Sequence, residues 1–160
     1  MVSTPKAKTL DIRASKINQK SPVLHPLARF VTEETVALLF NLEPDEIYRI
    51  DCWQYVVYIH GKGVSKFVSY ADFPPILGAE SPTNADFVRW RKRWKNRWTI
   101  NHAPQFWTNF YTHQFKHAST ESDLLVWGKL VATIKSALSV TAVQRLRKAY
   151  KHEKYLWDNF

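Results

Sequence analysis

The sequence predicts an α+β fold that is mainly helical, and three observations support this. Residues 31–50 carry the start and stop signals of two short helices, residues 51–68 change to an apolar repeat of two, and residues 85–160 return to helical spacing. We therefore expect two short helices joined by a turn, a β-hairpin, and a C-terminal half of three to four helices. A chain of 160 residues, 45% of them hydrophobic, is long enough for a single core.

The formal net charge of +9 is unevenly distributed. Residues 1–30 contain six Lys/Arg and one Asp, residues 31–51 contain six Asp/Glu and one Arg, and the remainder is again basic. A basic balance favours nucleic acid, an acidic protein or an anionic membrane as partner. Residues 1–29 also contain three prolines and no sustained apolar period. These features predict a basic flexible N-terminal arm, at least through Lys20. The arm either lies along the phosphates of a nucleic acid or is a solvated tail.

Capping signals define the first two predicted helices. Thr32 suits the N-cap of the first, and Asn41 is a left-handed stop. Pro44 suits the first position of the second helix, and two acidic residues follow it.

The hairpin is predicted from the period-two run that starts at Asp51 and continues through His60. Gly61-Lys62-Gly63 supplies the turn, and Val64–Val68 is the return strand. Ser69 and Asp72 then match a capping box for a single helical turn. A loop at 76–84 separates this unit, residues 30–77, from a helical region at 85–160.

Several pieces of this unit resemble the compact winged helix-turn-helix of excisionases and MerR-type regulators. The matching segments are Thr32–Ala37, Leu42–Arg49, Gly61–Gly63 and Val68–Asp72. The resemblance implies that the second helix enters the major groove of DNA and that the hairpin lies as a wing near the minor groove. It further implies that the groove-side residues are Tyr48 and Arg49 and that the wing contacts are Lys62 and Lys66.

The segment Phe87–Trp98 interleaves aromatic and cationic residues. Its four rings recur at steps of three, four and four, the spacing of one buried helical stripe. Exposure of Trp90 and Trp94 would instead favour stacking on single-stranded DNA or RNA. The cations cover the other faces and form the predicted nucleic-acid surface: Arg89, Arg91, Lys92, Arg93, Lys95 and Arg97.

A heptad-like pattern in the next helix allows two uses. Five apolar residues repeat at three, four, three and four: Leu124, Trp127, Val131, Ile134 and Leu138. Two heptads favour packing within the chain, and a homodimer through the same residues is the alternative.

No motif indicates an enzyme, a cofactor or a metal site. His113 and His117 have i, i+4 spacing but lack the glutamate of HExxH and a nearby acidic ligand. Cys52 is the one cysteine and suits a small buried filler. The sequence shows neither a signal peptide nor an apolar run of about 18 residues, so we expect a cytoplasmic protein without a membrane partner.

The sequence thus predicts a small basic nucleic-acid-binding protein. The preferred hypothesis is a duplex-DNA-binding transcriptional regulator or recombination accessory factor. The alternative is a non-enzymatic assembly factor that binds an acidic protein partner or structural RNA.

Overall fold

The computed structural model describes residues 15–160. In chain order the elements are β1 (Ile17–Gln19), a 3₁₀ helix (Pro26–Phe30), α1 (Glu33–Phe40), a 3₁₀ turn (Pro44–Glu46), β2 (Ile47–Cys52), β3 (Val57–Gly61), β4 (Val64–Val68), a 3₁₀ turn (Tyr70–Asp72), α2 (Asn84–Trp98), α3 (Gln105–Lys116), α4 (Glu121–Thr133), a 3₁₀ turn (Lys135–Ala137) and α5 (Val140–Asn159). The fold is α+β and mainly helical, with the predicted hairpin region followed by four C-terminal helices.

The strands form one sheet in the order β1-β2-β3-β4. β1 runs parallel to β2, with Ile17 opposite Ile50, and the other two pairs are antiparallel. Directly opposite residues share a face of the sheet. Ile50 and Ile59 therefore mark the inner face, where both are fully buried.

The prediction of a second short helix from Pro44 is wrong. Pro44–Glu46 form one 3₁₀ turn, in which the Glu46 carboxylate accepts the N–H of Glu43 at 2.9 Å. The helix-start signals thus produce a single turn. The helix does not continue because the next residues pair as strand β2 with both β1 and β3. Tyr48 and Arg49 consequently lie on a strand instead of at the end of a helix.

The predicted strand from Asp51 to His60 is interrupted. β2 ends at Cys52, and a turn at 53–56 reverses the chain, with the Trp53 N–H donating to the Val56 carbonyl at 2.9 Å. The return strand Val64–Val68 forms as predicted. Sheet pairing therefore begins earlier in the chain than the period-two pattern indicated.

The predicted arm is partly structured where it is described. Residues 1–14 lie outside the described residues. Ile17–Gln19 form β1, and Pro26–Phe30 form a 3₁₀ helix whose Leu27 and Phe30 are fully buried. The expectation of a flexible arm through Lys20 is therefore wrong for residues 17–19.

Three tryptophans join the sheet region to the helices. The Trp107 ring packs edge-on against Trp90 and Trp94, with both centroid distances 5.1 Å. The Trp94 Nε1 donates to the Ala71 carbonyl at 3.0 Å. On the other side, Tyr111 of α3 donates its hydroxyl to the Pro75 carbonyl at 2.7 Å. These contacts place one core between the sheet and α2–α3.

The heptad-like residues do not form a continuous seam. α4 ends at Thr133, so Ile134 and Leu138 lie beyond it. Leu124, Ile134 and Leu138 are buried inside the chain. This arrangement serves packing within the chain and leaves no uninterrupted helical face for a homodimer through these residues.

Candidate nucleic-acid interface

The stripe of rings on α2 faces the core. Thr83 caps the helix by accepting the Asp86 N–H at 3.2 Å, and the Asp86 carboxylate accepts the Thr83 N–H at 2.9 Å. Trp90 and Trp94 are fully buried, as their spacing predicts. The prediction that exposed Trp90 and Trp94 would stack on single-stranded nucleic acid is therefore wrong for these two rings, because neither offers a face to a base.

Two of the six cations on α2 are used inside the protein. Arg89 bonds to Asp86 at 3.2 Å. Arg93 donates to the Tyr55 carbonyl at 3.1 Å and lies 3.0 Å from the His25 Nε2. Burial and the adjacent Arg93 lower the pKa of His25 to about 4, so its ring is neutral at physiological pH. Arg93 thereby positions the β2–β3 turn and is less available to a ligand.

The other four cations of α2 are exposed: Arg91, Lys92, Lys95 and Arg97. No carboxylate of residues 15–160 lies within ion-pair distance of any of them. Arg91 reaches the Ser136 hydroxyl at 3.3 Å. This exposed side of α2 is a cationic surface without ion pairs. Burial raises the pKa of the nearby Asp72, and the positive charge of Arg97 lowers it in part, so Asp72 is the one acid with a resolved effect from these four cations among the described residues.

The predicted hairpin cations lie away from α2. Arg49 pairs with Asp51 at 3.0 Å and lies over the Tyr58 ring. Lys62, in the β3–β4 turn, pairs with Glu46 at 3.3 Å. The turn that contacts α2 is at the opposite end of β3, so the structure does not gather the predicted cations into one cluster.

The β2–β3 turn carries two exposed rings, of which Tyr55 lines a cleft beside α2. Trp53 is 43% exposed and Tyr55 is 67% exposed. Tyr70 fixes the turn by donating its hydroxyl to the Trp53 carbonyl at 2.5 Å. A cleft of about 200 Å³, here called the turn cleft, lies between the turn and α2 and is lined by Tyr55, Val56, Ser69, Arg93, Asn96 and Arg97.

Sequence reasoning missed the turn cleft because it placed both rings within one long strand. The available signal was length, since a strand from Asp51 to His60 exceeds the usual five to six residues. Lys20 also lies beside this turn, because its N–H donates to the Cys52 carbonyl at 2.9 Å.

A second aromatic surface covers the outer face of the sheet. Tyr58 and Phe67 lie opposite each other with centroids 5.1 Å apart, and Tyr48 packs against His60 at 5.2 Å. Tyr48 and Phe67 are both more than half exposed. The rings alternate with polar groups, and the cation that lies over Tyr58, Arg49, is already paired with Asp51.

The histidine pair on α3 stands alone. The His113 and His117 rings stack at 4.0 Å, and burial together with His117 lowers the pKa of His113. Within residues 15–160 no three His, Cys, Asp or Glu side chains are grouped to hold a metal ion. Cys52 is buried on β2. Over the same residues, no helix has the length and apolar character to cross a membrane.

Comparison of the chain with protein-family models, with curated proteins and with solved structures gave no significant match.

Proposed function

We propose that this protein binds single-stranded nucleic acid at the turn cleft. The observation that carries the proposal is the exposed Tyr55 ring, which lines the turn cleft together with Arg97, a cation without an ion pair among the described residues. The exposed Trp53 ring lies two residues earlier on the same turn. Unpaired bases stack on aromatic rings, and the phosphates between them need cations at short range. The turn cleft offers one ring, Tyr55, and the cation Arg97, and the turn beside the cleft offers the second ring, Trp53.

Each group has a separate task in this proposal. Trp53 and Tyr55 stack on successive bases. Arg97 and Lys95 contact phosphates, and the Asn96 amide reaches a base edge or a sugar. The buried tryptophans hold the helix that carries these cations.

Duplex DNA is the competing ligand. A transcriptional regulator or recombination accessory factor of the winged helix-turn-helix kind reads the major groove with a helix, whereas Tyr48 and Arg49 lie on β2. The exposed α2 cations could still contact the phosphates of duplex DNA, but such contacts do not depend on sequence. This makes the duplex hypothesis the weaker proposal.

Fluorescence anisotropy with a labelled thymidine oligonucleotide, the matching duplex and the matching RNA tests the proposal. We expect the single strands to bind more tightly than the duplex. Log affinity for single-stranded DNA should fall with log salt by about 0.7 per phosphate contacted. Equal affinity for duplex and single strands would favour phosphate contact alone, and absence of binding would overturn the proposal.

A pair of variants separates stacking from general charge. Tyr55→Ala should weaken single-strand binding roughly 5- to 150-fold, the value of one stacked base, and leave duplex binding unchanged. Phe67→Ala, which removes an exposed ring from the outer sheet face, is the matched control. Equal losses in the two variants would contradict the placement of the site.

A further inference from the structure

A second cavity, distinct from the turn cleft, lies between α4 and α5. It has a volume of about 700 Å³, and we call it the α4–α5 groove. Its apolar lining includes Phe115, Leu125, Ala132, Val143 and Leu146. Phe115 and Leu146 are buried, whereas Leu125 is 40% exposed, so the groove runs from the core to the surface.

Four cations and no acid complete the lining. Lys129 and Lys135 stand on the α4 side, and Arg147 and Lys151 on the α5 side. None of the four has a carboxylate of residues 15–160 within ion-pair distance. An apolar floor is thus bordered on both sides by positive charge.

We propose that the α4–α5 groove binds an amphipathic acidic helix of a partner protein. Such a helix lays an apolar stripe on the floor, and its flanking Glu or Asp residues meet cations on both sides. A single-chain carboxylate lipid would neutralise one cation and leave three. Nucleic acid has no apolar stripe to cover the floor. The two-sided charge therefore selects a helix with acids on both flanks.

The dimensions of the groove agree with this occupant. Val143 and Lys151 are eight positions apart on α5, a distance of about 12 Å at the helical rise. This accommodates about two turns of a bound helix, enough for apolar anchors at i, i+4 and i+7.

The test uses the full chain and a fluorescein-labelled synthetic peptide of about 18 residues, with Leu on one helical stripe and Glu on both flanks. We expect saturable binding that weakens with salt. A scrambled peptide of the same composition should bind at least tenfold more weakly, because it keeps the charge and loses the stripe. Equal binding of the two peptides would overturn the proposal.

Matched charge reversals locate the site. Arg147→Glu with Lys151→Glu should weaken peptide binding by about tenfold or more, since both residues line the groove. Arg145→Glu with Lys148→Glu changes the net charge equally on exposed α5 positions outside the lining and should have little effect. Equal losses in the two double variants would overturn the proposal.

A third variant tests the apolar floor. Ala132→Phe places a ring into the groove from an exposed position, so it should block the peptide without disturbing the core. Circular dichroism confirms that the variant is folded. Unchanged peptide affinity would overturn the proposal, as would displacement of the peptide by dodecanoate or a thymidine oligonucleotide at lower concentration than by unlabelled peptide.

Discussion

Asp86 shows how one side chain holds two segments together, the 3₁₀ helix that carries Arg29 and the start of α2. It is 1% exposed, bonds to Arg29 and Arg89, and accepts the Thr83 N–H at the start of α2. Burial alone would raise its pKa, but the hydrogen bonds from Arg29 and Thr83 outweigh burial and lower it. The carboxylate is therefore charged in the folded protein, and its contribution to stability is lost as the pH falls below the ordinary value of 3.8.

Asp86→Asn should lower the free energy of unfolding by about 2 kcal/mol, because charge-assisted hydrogen bonds to two guanidinium groups are weakened. Urea denaturation at pH 7 measures the loss. Asp123→Asn, at the corresponding position of α4, is the control, since Asp123 is exposed and forms no ion pair with the described residues. A similar cost at both positions would contradict the role assigned to the Arg29 and Arg89 contacts.

Asp72 predicts a pH effect of opposite sign. Burial raises its pKa from 3.8 to about 6, whereas hydrogen bonding to Ser69 acts in the other direction. The folded state thus retains a proton that the unfolded chain releases, so the free energy of unfolding should fall as the pH rises from about 4 to about 6. Asp72→Asn should remove this component of the pH dependence. The same slope in both proteins would show that another group causes it.

At the scale of elements, α1 and α2 both end at a residue in the left-handed conformation, and the conformational strain differs between the two residues. Asn41 ends α1 at φ 55°, and Thr99 ends α2 at φ 53°. Asn tolerates this conformation, whereas a β-branched residue is strained in it. Thr99→Gly should therefore raise the free energy of unfolding by about 1 kcal/mol, and Asn41→Gly should change it by less than about 0.5 kcal/mol. Thermal denaturation of the two variants tests this, and a destabilised Thr99→Gly variant would contradict it.

The elements that sequence predicts well are those specified locally. α2 has a 15-residue amphipathic stripe, and both Thr32 and Asn41 act as the predicted caps of α1. Residues 47–50 of β2 have the pattern of a helix because Pro44 and its acidic neighbours form a helical start, whereas Asp51 and Cys52 are predicted as strand. The following residues form a strand because they pair with β1 and β3. The parallel partner β1 has only three residues, and no local sequence pattern predicts it.

In the candidate site, too, some features can be predicted from local sequence and others depend on contacts between distant residues. The cations of α2 could be listed from sequence, but their availability depends on contacts with distant residues. Arg93 is used by Tyr55 and His25, whereas Arg97 borders the turn cleft. The rings of Trp53 and Tyr55 are exposed because they lie on the turn between β2 and β3. The sequence does not predict this turn, since residues 53–56 contain no Gly, Pro or Asn.

At the scale of the molecule, the tryptophan cluster couples the sheet to the helices. Trp90 contacts Phe30 and Trp107, and Trp94 bonds to Ala71. Unfolding of either half therefore removes packing from the other. We expect tryptophan fluorescence and far-UV circular dichroism to report one transition with the same urea midpoint. Two separate midpoints would show that residues 30–77 and 85–160 unfold independently.

Lys66 has a consequence for solubility. It lies opposite Ile59 on β4, the longer edge strand of the sheet, and its side chain is exposed. An edge strand offers unpaired backbone groups to a second molecule, and a lysine on that strand opposes such pairing because its charge would have to be covered by the added strand. Lys66→Val should convert the edge into a self-association site, detected as concentration-dependent light scattering at unchanged secondary structure. An equally soluble variant would show that this lysine does not protect the edge.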